Sequence, residues 1–157
     1  MSQDGGDNHF LSAKERDLRP LLAEGIEALE LDEKRAWQME VFFEGAWFSG
    51  VRNGHTKLLD QVSRYRDDPD CPDPRQLPID PGHLERVEQE LKEMMEASAE
   101  VLNLSVGATV AFWEYLSQAW VAGTRAYEDE VTAALIERVS DVGAEALRWL
   151  RGGEASP

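Results

Sequence analysis

Glutamates recur along this chain at spacings that could hold a hard cation. Glu24, Glu27 and Glu30 stand three apart, Glu85 and Glu88 repeat the interval, and Glu93 and Glu96 follow. Carboxylates at that interval share one face of a helix and offer the oxygen ligands that Mg²⁺ takes. The corresponding chemistry is that of an all-α, Mg²⁺-dependent nucleotide pyrophosphohydrolase. That reading lacks a part, because no matching Glu-x-x-Asp stands at a fitting distance on the next helix. Such runs are ordinarily solvated faces.

Other metal chemistry fails on its ligands. A carboxylate-bridged di-iron centre needs inward glutamates on four helices and Glu-x-x-His on two of them. Glu40, Glu44 and Glu114 interrupt apolar stretches and could lie partly inside. The histidines, however, are His9, His55 and His83, and the residues three before the last two are Arg52 and Asp80. Asp67, Asp68, Asp70 and Asp73 lack the glycine and closing glutamate of a calcium loop. No glycine-rich phosphate loop, nucleophile elbow or zincin helix is present. No catalytic residue, metal ligand or cofactor is therefore expected.

Charge narrows the partners. The net charge of −15 disfavours binding to nucleic acid through phosphates, which takes clustered Lys and Arg, and disfavours anionic membrane surfaces. Lysine is sparse, at Lys14, Lys34, Lys57 and Lys92 only. Abundant acid with few lysines fits a halophilic or high-GC source, or an acidic surface made for a basic partner. The single cysteine, Cys71, excludes an internal disulfide and a multi-cysteine metal site. Met1–Asp7 has no basic start and no apolar stretch follows, so no signal peptide is read. The run from Val101 to Thr124 carries one charge, Glu114, but also Asn103, Ser105, Ser117 and Gln118. It reads as a buried helix rather than a membrane span, in a cytoplasmic protein or, for a viral one, a virion protein.

Four helices are predicted to position these residues, over about 12–31, 33–66, 81–104 and 106–151. Ser12 with Glu15 would form a capping box for the first, ahead of Leu18, Leu21, Leu22, Ile26 and Leu29. Asp32 would cap the second, which carries Trp37, Met39, Phe43, Trp47, Val51, Leu58, Val62 and Tyr65. Residues 67–80 are too rich in proline and aspartate for regular structure. Asp80-Pro81 would start the third helix, with Leu84, Val87, Leu91, Met94, Met95, Val101 and Leu102 on its buried side. Ser105 would cap the fourth, and Gly152-Gly153 would end it. Residues 1–11 and 152–157 are expected to be flexible.

The chain also matches itself at an offset of 73 residues. Asp17–Asp32 lies over Glu90–Ser105, and without a gap Ala46-Trp47-Phe48-Ser49-Gly50-Val51-Arg52 falls on Ala119-Trp120-Val121-Ala122-Gly123-Thr124-Arg125. An internal repeat of about 17–62 on 90–135 follows, hence an all-α four-helix bundle of two duplicated hairpins in one domain. The Asn53-Gly54 turn signal has no counterpart at Ala126-Tyr127, so a continuous second helix is expected.

Ala46, Gly50 and Gly54 lie four apart, as do Ala119 and Gly123, forming smooth strips. Mid-helix glycine costs about 1 kcal/mol against alanine, so two matching glycines imply close packing. Helices two and four are expected to cross there, with a partner helix as the alternative. Trp37, Trp47, Trp113, Trp120 and Trp149 are expected mostly in the core, with one or two at an interface. Arg52 and Arg125 should lie away from the glycines, Arg125 pairing with Glu128 or Asp129. Because helix four outruns the shared core, Val139, Val142, Leu147, Trp149 and Leu150 would expose apolar surface unless another chain covers it.

The expected function is a non-enzymatic protein–protein interaction or assembly subunit: a small helical structural or adaptor protein, viral by analogy alone. Its partners would be proteins, in a homo-oligomer or larger assembly. Against it stand an acidic inhibitor that imitates nucleic acid and the Mg²⁺-dependent hydrolase above.

Overall fold

The computed structural model describes residues 4–67, 70 and 81–154. It folds them into α1 (Asp4–Ala28), α2 (Glu33–Asp67), α3 (Pro81–Leu102) and α4 (Val106–Glu154). No strand occurs among the described residues, and none of their helices is long and apolar enough to cross a membrane. The fold is all-α, a four-helix bundle of two hairpins. Asp68, Cys71, Asp73 and Asp80 lie outside the described residues.

Both hairpins turn through a left-handed residue at matching positions. Leu29 N–H donates to Gly25 O at 3.0 Å and Leu31 N–H to Ile26 O at 3.2 Å, while Glu30 between them takes a left-handed φ of 49°. These bonds satisfy the last carbonyls of α1 and reverse the chain. Asn103, 73 residues further on, has a φ of 48° and donates its N–H to Ala99 O at 3.1 Å. The next helices start on side-chain caps: Asp32 Oδ1 accepts from Arg35 N–H at 2.8 Å, and Ser105 Oγ accepts from Ala108 N–H at 3.3 Å.

The helix ends differ from expectation at two places. α1 starts at Asp4, so Ser12 lies inside it and forms no capping box. Apolar contact extends the helix upstream, since Ala13 is buried and the Phe10 ring meets Trp47 edge-on at 6.4 Å. α4 runs through Gly152 to Glu154. Glycine permits a left-handed stop without imposing one, and among the described residues no glycine has positive φ.

α2 and α4 run parallel and touch each other more than any other pair. Contacts climb both helices together, from Phe43 stacked on Phe112 (5.6 Å between centroids), through Gly50 at Trp120, to Lys57 at Glu128. α1 and α3 run antiparallel to this pair, on separate flanks, and among the described residues make no contact with each other. The core therefore lies along the α2–α4 seam, around Met39, Phe43, Trp47, Phe112 and Leu116, all fully buried.

Several residues assigned to the core by apolar character are exposed instead. Trp37 is 65 % exposed. It lies two residues from buried Met39, just over half a helical turn away, and so faces outward. Leu84 and Val62 are exposed because their neighbours His83 and Gln61 take the inward places. Val101 faces out beside buried Leu102. Near the end of α2 the seam is thus partly polar, and apolarity alone picks the wrong neighbour.

Candidate interaction surface

The residues that stood out in the sequence divide between two places: a buried helix crossing and an exposed helix end. At the crossing, Ala46, Trp47, Gly50, Gly54, Ala119 and Gly123 are all buried, with Trp120 half-buried. The contact is reciprocal. A Cβ added to Gly50 would overlap the Trp120 carbonyl and lie 3.0 Å from Thr124 N. A Cβ added to Gly123 would overlap the Trp47 carbonyl and lie 3.1 Å from its Cα. Positions 73 apart meet the same obstacle in each other's helix. Glycine is required here because no larger residue lets the backbones come this close. α4 fills the strip on α2, which leaves no face there for a partner helix.

Below the glycines the seam turns polar. Thr124 Oγ1 donates to Gly50 O at 3.0 Å and accepts from Asn53 Nδ2 at 3.3 Å. Asn53 Oδ1 then accepts from His83 Nε2–H at 2.8 Å, tying the start of α3 to α2. His55 Nδ1 and the Tyr127 hydroxyl share a bond of 2.7 Å, and burial raises the Tyr127 phenol above its ordinary range. Gly54 lies against this tyrosine: a Cβ there would come 2.9 Å from Tyr127 Cδ1. Sequence reading missed Asn53, His83 and Thr124. The available signal was the polar residues beside the glycine strip, where helix backbones approach and leave no room for large apolar groups.

Asp17 and Glu90 occupy matching positions on α1 and α3, and both bond to α2. Asp17 Oδ2 accepts the Trp47 indole N–H at 3.2 Å. Glu90 Oε1 accepts from Ser49 Oγ at 2.7 Å and from Arg52 Nη2 at 3.1 Å. Two open grooves flank the seam at matching places. One, of about 720 Å³, lies between α1 and α4 beside Asp17, Leu21 and Arg125; the other, of about 400 Å³, lies between α2 and α3 beside Glu90, Met94 and Arg52. The second is narrower because Arg52 reaches across to Glu90. Arg125 is exposed. Glu128, one of its two expected partners, pairs instead with Lys57, at 3.4 Å across the seam.

The candidate metal ligands do not assemble. Among the described residues no three His, Cys, Asp or Glu groups stand together as ligands. Glu30 lies in the α1–α2 turn, and Glu24 bonds the Tyr115 hydroxyl, whose pKa is raised by burial and by Glu24 and Glu114. Glu40 and Glu114 are exposed, while half-buried Glu44 pairs with Lys14 at 3.4 Å.

The second place is the far end of α4. From Thr132 to Gly152 every described side chain is exposed. Val142, Leu147 and Leu150 are more than half exposed, and Trp149 is 78 % exposed. Trp149 is uncovered, as expected of a helix that outruns the shared core: α4 continues past the place that matches the end of α2, and among the described residues nothing covers it. Val139 lies on the same stretch, its side chain outside the described ones. Leu59 and Val62 add exposed apolar surface toward the same end of α2. Compared with protein-family models, with curated proteins and with solved structures, the chain matches none.

Proposed function

We propose that this chain is a non-enzymatic interaction or assembly subunit, a helical body that offers the free end of α4 to another protein. The single observation behind this reading is the exposure of α4 from Thr132 onward, with Val142, Leu147, Trp149 and Leu150 uncovered. Contiguous apolar surface of this kind marks interaction sites on water-soluble proteins. A helix of some twenty residues without tertiary packing is only marginally stable in water, so such a stretch gains its order from what covers it. Aromatic and aliphatic anchors are the residues that dominate interfaces. The protein would work by assembly, with no bond made or broken and no cofactor.

Solution mass tests this, by light scattering behind a sizing column at low salt and at molar salt. A discrete oligomer that persists at molar salt supports assembly through apolar surface, since salt screens charge and leaves burial intact. A monomer under both conditions would overturn self-assembly as the use of this surface.

A further inference from the structure

The occupant of the exposed α4 end is set by its charge, and its identity rests on the assembly role proposed for that surface. Between Thr132 and Gly152 the charged residues are Glu137, Asp141 and Glu145 against Arg138, Arg148 and Arg151, all exposed. Acids and bases balance there, in a chain whose net charge is −15. Two bodies of this protein repel each other, but two α4 ends meet without net repulsion. A strongly basic partner would find little on this segment to attract it.

We infer that the α4 end pairs with the same segment of a second copy, running antiparallel, with Arg138 of each chain beside Glu145 of the other. Val142, Ala146 and Trp149 follow each other at intervals of four and three, the spacing of a seam between paired helices. Leu150 widens the stripe. Arg138 and Glu145 are seven residues apart and so occupy the same edge of that seam. In an antiparallel pair, like edges face each other. A two-fold axis passing near Asp141 and Val142 then brings Arg138 to Glu145 twice, the self-complementary contact of an isologous dimer. In a parallel pair this edge would face the opposite one, where Gly143 and Leu150 stand, and no charge pair would form. Gly143 has nothing within 4 Å of an added Cβ in the free chain, which leaves room near the axis for a second helix.

The test uses the full chain, three variants and the sedimentation or light-scattering mass as a function of concentration. Arg138→Glu sets two glutamates against each other in the pair, and Glu145→Arg sets two arginines. Each single variant should weaken the dimer about tenfold or more, from two like-charge contacts replacing two opposite ones. Mixing the two variants restores both pairs, so heterodimers of near wild-type affinity should form. The double swap Arg138→Glu with Glu145→Arg should also dimerise like wild type. Helical circular dichroism checks that each variant folds, which exposed charges permit. A wild-type dimer indifferent to both single changes would overturn this pairing while leaving assembly through some other face intact. So would weakened single variants that the mixture does not recover. A wild-type chain that stays monomeric at high concentration and molar salt would remove self-pairing altogether.

Discussion

Gly123 and Trp47 meet backbone to backbone, with the Trp47 carbonyl carbon 2.8 Å from where a Cβ on residue 123 would lie. Gly50 stands in the same relation to Trp120. The diagonal helices of this bundle therefore touch directly, and among the described residues the flanking helices do not meet.

Alanine usually stabilises a helix relative to glycine by about 1 kcal/mol. At Gly50 and Gly123 the sign should reverse, because the obstacle is backbone and cannot swing aside. Gly50→Ala and Gly123→Ala should each lower stability by about 1–3 kcal/mol or more in urea melts. Gly45→Ala, with nothing within 4 Å of the new methyl, should raise it by about 1 kcal/mol. A stabilised Gly123→Ala would rule out the close crossing.

Glu30 holds a left-handed backbone with a side chain unsuited to it. Asparagine tolerates that conformation, as Asn103 illustrates at the matching turn, and glycine adopts it freely. Glu30→Asn or Glu30→Gly should therefore stabilise by about 0.5–1 kcal/mol, and Asn103→Glu should destabilise by a similar amount. Unchanged thermal midpoints in all three would contradict the turn geometry.

Trp47 is fully buried and gives its indole N–H to Asp17. Asp17→Ala strands that donor and should cost about 1–3 kcal/mol. Asp17→Asn keeps an acceptor and should cost less. Tryptophan fluorescence during denaturation reads both, and equal losses for the two variants would deny the bond.

Burial raises the Tyr127 phenol above its ordinary value of 10.0. The unfolded chain then ionises before the folded one. Stability from this group is complete below pH 10 and declines as pH rises through the higher folded value. Tyr127→Phe forfeits the bond to His55 at neutral pH, yet its stability should fall less steeply above pH 10. The check is a series of urea midpoints from pH 8 upward, and parallel slopes for the two proteins would refute it.

The helices and their turns were legible because their signals are local. Asp32 and Ser105 announce caps, and the glycines at 50 and 123 mark where backbones must approach. What apolarity could not reveal was which of two neighbours turns inward. His83 displaces Leu84 because Asn53 offers it a partner across the helices, a relation invisible until α3 lies beside α2. Trp37 misled for a different reason: an indole suits a core and an interface equally, and only the packing of the neighbouring helices distinguishes them. The upstream start of α1 was hidden because Phe10 needs Trp47 to extend it, 37 positions further along the chain.

Gly54 and Tyr127 hold matching positions and press against each other. Where a residue meets its own counterpart, identical halves would face glycine with glycine, leaving a hole, or tyrosine with tyrosine, forcing a collision. One bulky and one absent side chain fit as neither matched set would. The two halves have thus become lock and key, and exchanging one for a copy of the other should spoil the fit. That asymmetry gives a reason to keep both on one chain, in fixed proportion and fixed order, rather than as a dimer of a single hairpin.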